Sequence, residues 1–308
     1  MTSRPFTFGV QAAAASAAGR EAIIAAAQRA ESAGFDEFYT FDHFGSVDPF
    51  LPLLIAAEAT THLRVGPLVL NAGFYNPGLL ARTAATLDQL TSGRLVLGLG
   101  AGWAKAEHDT LGIDFPSGRR RVEILSEVLA VVAPLLRSGA ADLDGGDVAA
   151  RSDTLGVELP RGRIPLLLGG SGDRMLELAG RYADIFQFTG LAHLPDGTPR
   201  QSGYHRSALV DRIGRLRHHA GRRAQQIELS IIITELHIGT PLEAIADAVA
   251  ERTGLGPREI QDSPFVLAGG VEEVADKVRR TRAELGISHF VVTDAEAFAP
   301  VVGVLRRN

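Results

Sequence analysis

The sequence of 308 residues contains no cysteine. Disulfides, zinc–thiolate sites, iron–sulfur clusters and catalytic thiols are therefore excluded. The absence is typical of proteins in a reducing compartment, so we expect a cytoplasmic location. Lysine is also scarce, since Lys105 and Lys277 are the only two. An isomerase or aldolase that binds a substrate phosphate would need a lysine or carboxylate base at the end of a strand, and we find no good candidate for one in the sequence.

Basic blocks and long apolar runs are absent as well. The formal net charge is −5, which disfavours nucleic acid as a partner because such binding needs a phosphate-neutralising surface. The alanine-rich stretch 12–18 is too short and too weakly apolar to span a membrane, and it lacks the features of a signal peptide. His218 and His219, with Asp211 and Asp262, form no pattern of metal ligands, so we predict no metal site.

Short apolar runs alternate with helix-like stretches along the whole chain. They are nearly continuous in apolar residues, which is typical of strands buried on both faces of a parallel sheet. The predicted strands are 6–10, 37–41, 63–70, 95–99, 165–168, 185–188, 228–233 and 290–292. Eight strands separated by helices indicate either a closed barrel or a doubly wound sheet.

Amphipathic helices are predicted most clearly at 119–136 and 271–285, where apolar residues recur at three-to-four spacing. No boundary divides the chain into two comparable cores, so we expect one domain over residues 1–308. Two irregular stretches, 138–163 and 190–204, are rich in Gly, Pro, Asp and Arg. Stretches of this length are usually functional loops or mobile ones.

Two glycine-rich segments follow predicted strands, at 98–102 and 169–172. Glycine lets the backbone approach a ligand closely, and a helix that begins at the second segment offers free N–H groups to an anion. The alternative is that both are ordinary tight turns between strand and helix. Neither segment is a complete dinucleotide fingerprint, which disfavours a Rossmann-type site.

Asp42 and His43 follow the second predicted strand, where a barrel would place its active site. A neutral histidine there can donate or accept a hydrogen bond near neutral pH. The alternative is a loop histidine beside Asp42 as a helix cap. Asn71 ends the third predicted strand in the same way.

Trp103 is the only tryptophan and follows the first glycine segment. Its ring is a candidate wall for an aromatic cofactor or substrate, with ordinary half-buried packing as the alternative. We interpret Glu107 and His108 as the polar face of a short helix, although an acid–base role is open to them. The Arg cluster 119–121 suits phosphates and carboxylates, but a solvated helix start is the more usual explanation.

Taken together, these segments resemble the luciferase-like family, in particular its branch of oxidoreductases that use the deazaflavin coenzyme F420. Each segment is weak alone, but they run in order over almost the whole chain. The matching segments are Phe8-Gly9-Val10, residues 33–36, Asp42-His43-Phe44, residues 63–66, Asn76-Pro77, Ala81-Arg82, residues 92–103, residues 112–116, Ile164-Pro165, Gly169-Gly170, residues 182–184, residues 263–267 and Gly269-Gly270.

The resemblance implies a (β/α)8 TIM barrel that holds a flavin-type ring at its C-terminal mouth. It places His43 near the reactive carbon, with Asp42 orienting it, and these two residues and Trp103 are the predicted catalytic residues. It also implies a bulge with a cis non-prolyl peptide where the third strand meets the ring, and a phosphate at the second glycine segment. The residues predicted to contact the cofactor are Leu68, Val69, Asn71, Gly100, Gly102, Gly169, Gly170, Ser171 and Arg174.

The activity that the resemblance implies is hydride transfer between F420 and a small organic substrate, in a homodimer. An FMN-dependent monooxygenase on the same barrel is the alternative, and a cofactor-binding barrel without catalysis is an alternative of another class. Sugar-phosphate dehydrogenases of the deazaflavin branch carry Glu where this chain has Trp103, and Trp where it has Val47. These departures argue against a sugar phosphate as the substrate.

Overall fold

Short buried strands form because the apolar runs are flanked by turn residues and covered by helices on the outside. A computed structural model describes residues 4–143, 150–152, 154–193, 198–200 and 203–307. In these residues the strands are β1 (Thr7–Gln11), β2 (Glu37–Thr40), β3 (Arg64–Pro67), β4 (Leu70–Asn71), β5 (Leu97–Gly100), β6 (Ala141–Leu143), β7 (Ala150–Ser152), β8 (Leu166–Gly169), β9 (Ile185–Phe188), β10 (Ala192–His193), β11 (Pro199–Arg200), β12 (Glu228–Ile232), β13 (Glu235–Ile238), β14 (Val266–Gly269) and β15 (Ile287–Val292).

The main sheet closes into a parallel barrel. Its hydrogen-bonded order is β3-β2-β1-β15-β12-β9-β8-β5-β4. Its two ends meet because β3 and β4 are halves of one interrupted strand, and Val65 in β3 forms a parallel bridge with Leu95 just before β5. Counting β3 and β4 as one strand position gives eight, so the (β/α)8 TIM barrel is confirmed and the doubly wound alternative is wrong.

Each predicted strand is present, but the third differs from its prediction. The expected continuous strand over 63–70 is interrupted, since β3 ends at Pro67 and the Leu68–Val69 peptide bond is cis. The Leu68 N–H donates to the Thr40 carbonyl at 2.7 Å, and Nε2 of Gln11 donates to the Leu68 carbonyl at 2.8 Å. The family resemblance, rather than the apolar pattern, predicted this cis peptide.

Helices surround the barrel and bury their apolar faces against it. They are α1 (Ala13–Ala17), α2 (Arg20–Ser32), α3 (Leu51–Glu58), α4 (Pro77–Leu90), α5 (Lys105–Leu111), α6 (Gly118–Ser138), α7 (Asp173–Tyr182), α8 (Arg206–Ala220), α9 (Ala246–Thr253), α10 (Pro257–Asp262), α11 (Val271–Leu285) and α12 (Ala295–Arg306). The predicted helices correspond to α6 and α11. Among the described residues, no helix is both long enough and apolar enough to cross a bilayer.

The two stretches predicted to be irregular contain antiparallel pairs. In the first, β6 pairs with β7, and in the second, β10 pairs with β11. Residues 144–149, 153, 194–197 and 201–202 of these stretches lie outside the described residues. A parallel pair of β13 and β14 lies outside the barrel sheet. It was not predicted, because both strands are short and do not belong to the regular alternation of strands and helices that predicts the barrel.

Candidate functional site

A cavity of about 550 Å³ opens at the C-terminal ends of the barrel strands. Parallel strands bring their carboxyl ends to one rim, so residues far apart in the sequence meet there. Its lining residues are Gln11, Phe41, Asp42, His43, Leu68, Val69, Leu70, Asn71, Gly100, Ala101, Gly102, Trp103, Ala104, Glu107, Gly169, Gly170, Ser171, Met175, Gln187, Thr189, Leu191 and Ile232.

The structure brings almost all the predicted site residues to this cavity. The predicted catalytic residues Asp42, His43 and Trp103 line it, and so do all the predicted cofactor-contacting residues except Arg174. Arg174 lies in the first turn of α7, half-exposed, with Nη1 3.5 Å from Oε1 of Glu123. Its place is therefore on the rim outside the cavity lining.

The ring of His43 is contacted on several sides. Its Nδ1 lies 2.6 Å from Oε1 of Glu107. The ring centroid of Phe41 lies 5.3 Å away, and Trp103 meets the imidazole edge-on at 5.5 Å between centroids. These contacts hold the imidazole at the cavity wall with 38% of its side chain exposed.

Asp42 has a different set of partners from the one predicted. Its Oδ2 accepts hydrogen bonds from the Asn71 N–H at 3.0 Å and from the Tyr75 hydroxyl at 3.1 Å. Burial raises the pKa of Asp42 even though both hydrogen bonds favour the carboxylate. The expectation that Asp42 orients His43 is corrected here, because the carboxylate in contact with the imidazole belongs to Glu107.

The side chain of Asn71 is fixed by hydrogen bonds at both ends of its amide. Its Oδ1 accepts from the Gly73 N–H at 3.1 Å, and its Nδ2 lies 3.0 Å from Nε2 of His108. Nδ1 of His108 lies 2.9 Å from the Asp114 carbonyl oxygen, so this nitrogen donates and Nε2 accepts from Asn71. Asn71 therefore presents one orientation to the cavity.

Gly102 allows the backbone to pass directly over Asn71. Its φ is +72°, and an added Cβ would lie 2.4 Å from Oδ1 of Asn71. The Gly102 carbonyl accepts a hydrogen bond at 3.0 Å from Nε of Arg121, and Nη1 of the same side chain donates to the Pro116 carbonyl at 2.6 Å. Arg121, one member of the arginine cluster, is thus buried and holds the backbone of the first glycine segment in place.

The second glycine segment leads from β8 into α7. Gly172 is the N-cap of this helix, and glycine has no side chain that could accept a hydrogen bond from the first turn. The helix start follows directly on Gly169, Gly170 and Ser171, which line one side of the cavity, and the first N–H groups of a helix have no carbonyl partner within it. This arrangement can bind an anion such as a phosphate.

Sequence reasoning missed several residues of the site. Glu107 was interpreted as part of a polar helix face, but it lines the cavity, and His108 is almost fully buried between the rings of Phe74 and Phe115. Gln11 was also missed, although its place at the end of β1 was a usable signal. The face that the seven-residue helix α5 turns toward the cavity was not predictable, because so short a helix has too few apolar residues to show which side is buried.

Comparison with known proteins agrees with this geometry. The family model described as luciferase-like monooxygenase matches residues 1–251. An F420-dependent glucose-6-phosphate dehydrogenase of Beutenbergia cavernae is 34% identical over 187 residues, covering 58% of this chain and 55% of that protein. A 5,10-methylenetetrahydromethanopterin reductase of Archaeoglobus fulgidus is 31% identical over 155 residues, covering 50% and 45%. The chain thus spans about half the length of the curated relatives it matches.

Solved structures share the whole fold. An F420-dependent secondary alcohol dehydrogenase in complex with an F420–acetone adduct matches with a TM-score of 0.76 at 22% identity, over 97% of both chains. The oxygenating constituent of 3,6-diketocamphane monooxygenase from Pseudomonas putida, in complex with FMN, matches with a TM-score of 0.68 at 16% identity, over 98% and 96%. The family match over most of the sequence and the closed barrel agree, and the chain belongs to the luciferase-like monooxygenase family.

Proposed function

We propose that this protein is an oxidoreductase that transfers a hydride between the deazaflavin coenzyme F420 and a small organic substrate. The observation that carries the proposal is the meeting of three features at one cavity: the wall at Leu68 and Val69, the uncapped start of α7, and the His43–Glu107 pair. The name of the F420-dependent relative from Beutenbergia cavernae supports the same cofactor.

The residues present fit a cofactor of this type. The cavity volume of about 550 Å³ is within the usual range of ligand sites, about 300–1,000 Å³. Leu68, Val69 and Ile232 offer apolar surface to a planar ring, while Asn71 offers a fixed polar group. The glycines before α7 leave room for a phosphate beside free N–H groups.

A bound deazaflavin supplies the carbon that accepts or donates the hydride. The chain has to orient the reactants and keep water away from them. His43 is placed to donate or accept a hydrogen bond, or a proton, at the substrate group next to the transferring carbon. Trp103 and Phe41 pack against the His43 ring and line the cavity beside it.

FMN is the second candidate cofactor, since a protein of the same fold is known in complex with it. A barrel that binds cofactor without catalysis would show cofactor affinity and no turnover. An isomerase or aldolase would need a base such as lysine at a strand end. Neither Lys105 nor Lys277 is among the residues that line the described cavity.

Spectral titration of the purified protein with both cofactors tests the proposal. We expect F420 to bind in the micromolar range and FMN to bind more weakly, because the anionic tail of F420 can gain contacts with Arg119, Arg120 or Arg174. Equal or tighter binding of FMN, together with oxygen consumption when substrate is added, would identify a monooxygenase. Binding of F420 without any hydride transfer to a panel of carbonyl compounds and alcohols would support the non-catalytic barrel.

A further inference from the structure

We propose that Glu107 is the positioning residue of His43 and fixes which ring nitrogen faces the reaction. The inference rests on the proposed function, in which His43 is the group beside the transferring centre. It assigns a role to a residue on α5 that the resemblance to the family did not mark.

The contact between the two side chains is short and sheltered. Oε1 of Glu107 lies 2.6 Å from Nδ1 of His43, and only 16% of the Glu107 side chain is exposed. A carboxylate can only accept a hydrogen bond, so Nδ1 of His43 carries the proton in this contact. Hydrogen bonds of this charge-assisted kind are among the stronger ones in proteins.

The neighbouring carboxylate does not compete for the ring. Asp42 accepts from the Asn71 N–H and the Tyr75 hydroxyl, which hold it against β4. The two carboxylates at the cavity therefore have separate tasks. Asp42 ties the end of β2 to the interrupted third strand, and Glu107 holds the imidazole.

This arrangement determines the chemistry left to His43. With Nδ1–H donated to Glu107, Nε2 is the ring atom available to a molecule in the cavity. Phe41 and Trp103 pack against the ring, at 5.3 and 5.5 Å between centroids, and add to the contacts that hold its orientation. A fixed tautomer gives a proton-transferring histidine its direction, as the carboxylate partner does in hydrolytic triads.

The experiment compares Glu107→Ala with Asp109→Ala, which removes an exposed carboxylate from the same helix, where Asp109 pairs with Lys105. Nitrogen-15 NMR of the free protein at high pH reports the His43 tautomer, and single-turnover mixing with F420 and substrate reports hydride transfer. We expect Glu107→Ala to lose the Nδ1–H tautomer and to slow hydride transfer by about tenfold or more, with F420 affinity unchanged. Asp109→Ala should match the wild type in all three readouts.

If the alanine variant is unstable, Glu107→Gln replaces it in the experiment, because glutamine keeps the shape of the side chain and removes its charge. Its amide can donate as well as accept, so we expect a mixture of tautomers and a rate between those of wild type and alanine variant. A wild-type tautomer together with wild-type hydride transfer in either variant would overturn the inference. If the wild type transfers no hydride with F420 while the His43 signals still respond to Glu107→Ala, the proposed function fails and the positioning contact stands.

Discussion

At the scale of single residues, the site depends on groups whose positions are held by several contacts. The imidazole of His43 contacts Glu107, Phe41 and Trp103, and the amide of Asn71 is bonded at both ends. Preorganised donors and acceptors of this kind need no reorganisation when a substrate binds. We therefore expect substitutions in the site to act by changing the positions of these side chains.

Replacing His43 separates a chemical role from a structural one. We expect His43→Ala to keep the fold and cofactor binding and to lower turnover by about ten- to a thousandfold, near the usual range for one acid–base group. His43→Asn should retain more activity if the role is only hydrogen bonding. If His43 merely caps a turn, the loss appears as stability, about 1 kcal/mol. Melting temperature and single-turnover hydride transfer, measured on the same variant, decide between these results.

Gly102 tests the close approach over Asn71. Both Gly102 and Gly112 have left-handed φ values, +72° and +67°, but an added Cβ at Gly112 meets nothing within 4 Å. Gly112→Ala should therefore cost only the backbone strain, about 1–2 kcal/mol. Gly102→Ala should cost more and also weaken cofactor binding, because its Cβ displaces the Asn71 amide. Denaturant unfolding and cofactor titration of both variants check this, and equal behaviour of the two would contradict it.

At the scale of elements, the apolar pattern predicted the barrel strands and two of the long helices, because buried parallel strands and amphipathic helices have strong periodic signals. It did not predict the break between β3 and β4, where the backbone conformation at Leu68 and Val69 has no apolar signature. Nor did it predict which face of α5 turns toward the cavity. Most of the predicted site residues follow strand ends and line the cavity, whereas the carboxylate in contact with His43 belongs to Glu107 and not to Asp42.

The start of α7 yields a prediction about cofactor affinity. Arg174 stands in the first turn of this helix, and Arg181 stands in its last turn, paired with Glu177. If the anionic tail of F420 passes over the rim, Arg174→Ala should raise the Kd for F420 by about two- to fivefold at low salt, the scale of an exposed charge pair. The effect should shrink as salt is added.

Arg181→Ala is the matched control for this experiment, since it removes the same charge from the opposite end of the same helix. Its Kd for F420 should equal that of the wild type. A loss of affinity of the same size in both variants would show that net charge, and not the location of Arg174, controls binding.

At the scale of the whole molecule, the two ends of the barrel have different tasks. The mouth carries the cavity, and the opposite end carries a buried ionic cluster in which Nε2 of His289 lies 3.0 Å from Oε2 of Glu37. Arg64 and Tyr39 also contact the Glu37 carboxylate. Polar residues at the N-terminal end of barrel strands usually serve stability.

This cluster makes stability depend on pH. Burial alone would raise the pKa of Glu37, but the charges of His289 and Arg64 lower it to about 2. Burial alone would lower the pKa of His289, yet the Glu37 carboxylate raises it. The Glu37 contribution is therefore present above its ordinary pKa of 4.5 and lost as pH falls toward about 2. The His289 contribution is present below its ordinary pKa of 6.5 and lost as pH rises through its folded value.

Replacing His289 should thus lower the free energy of unfolding most in mildly acidic solution. We expect His289→Gln to lose about 3–5 kcal/mol of unfolding free energy near pH 6, because it removes one of the two positive partners of the buried Glu37 carboxylate. The deficit should shrink as pH rises above 6.5, where the wild type loses its own contribution. Urea unfolding across this pH range measures it, with the exposed His218→Gln as control. A loss of unfolding free energy that grows as the pH rises would contradict the assigned role of His289.

The crystal structure of the protein with F420 tests the central claim most directly. The account predicts that the deazaflavin ring lies at the C-terminal mouth, within about 4 Å of the Leu68–Val69 peptide. It predicts the phosphate at the start of α7 and Nε2 of His43 facing the reactive carbon. A ring bound elsewhere, or bound in this cavity with His43 turned away from it, would contradict the account.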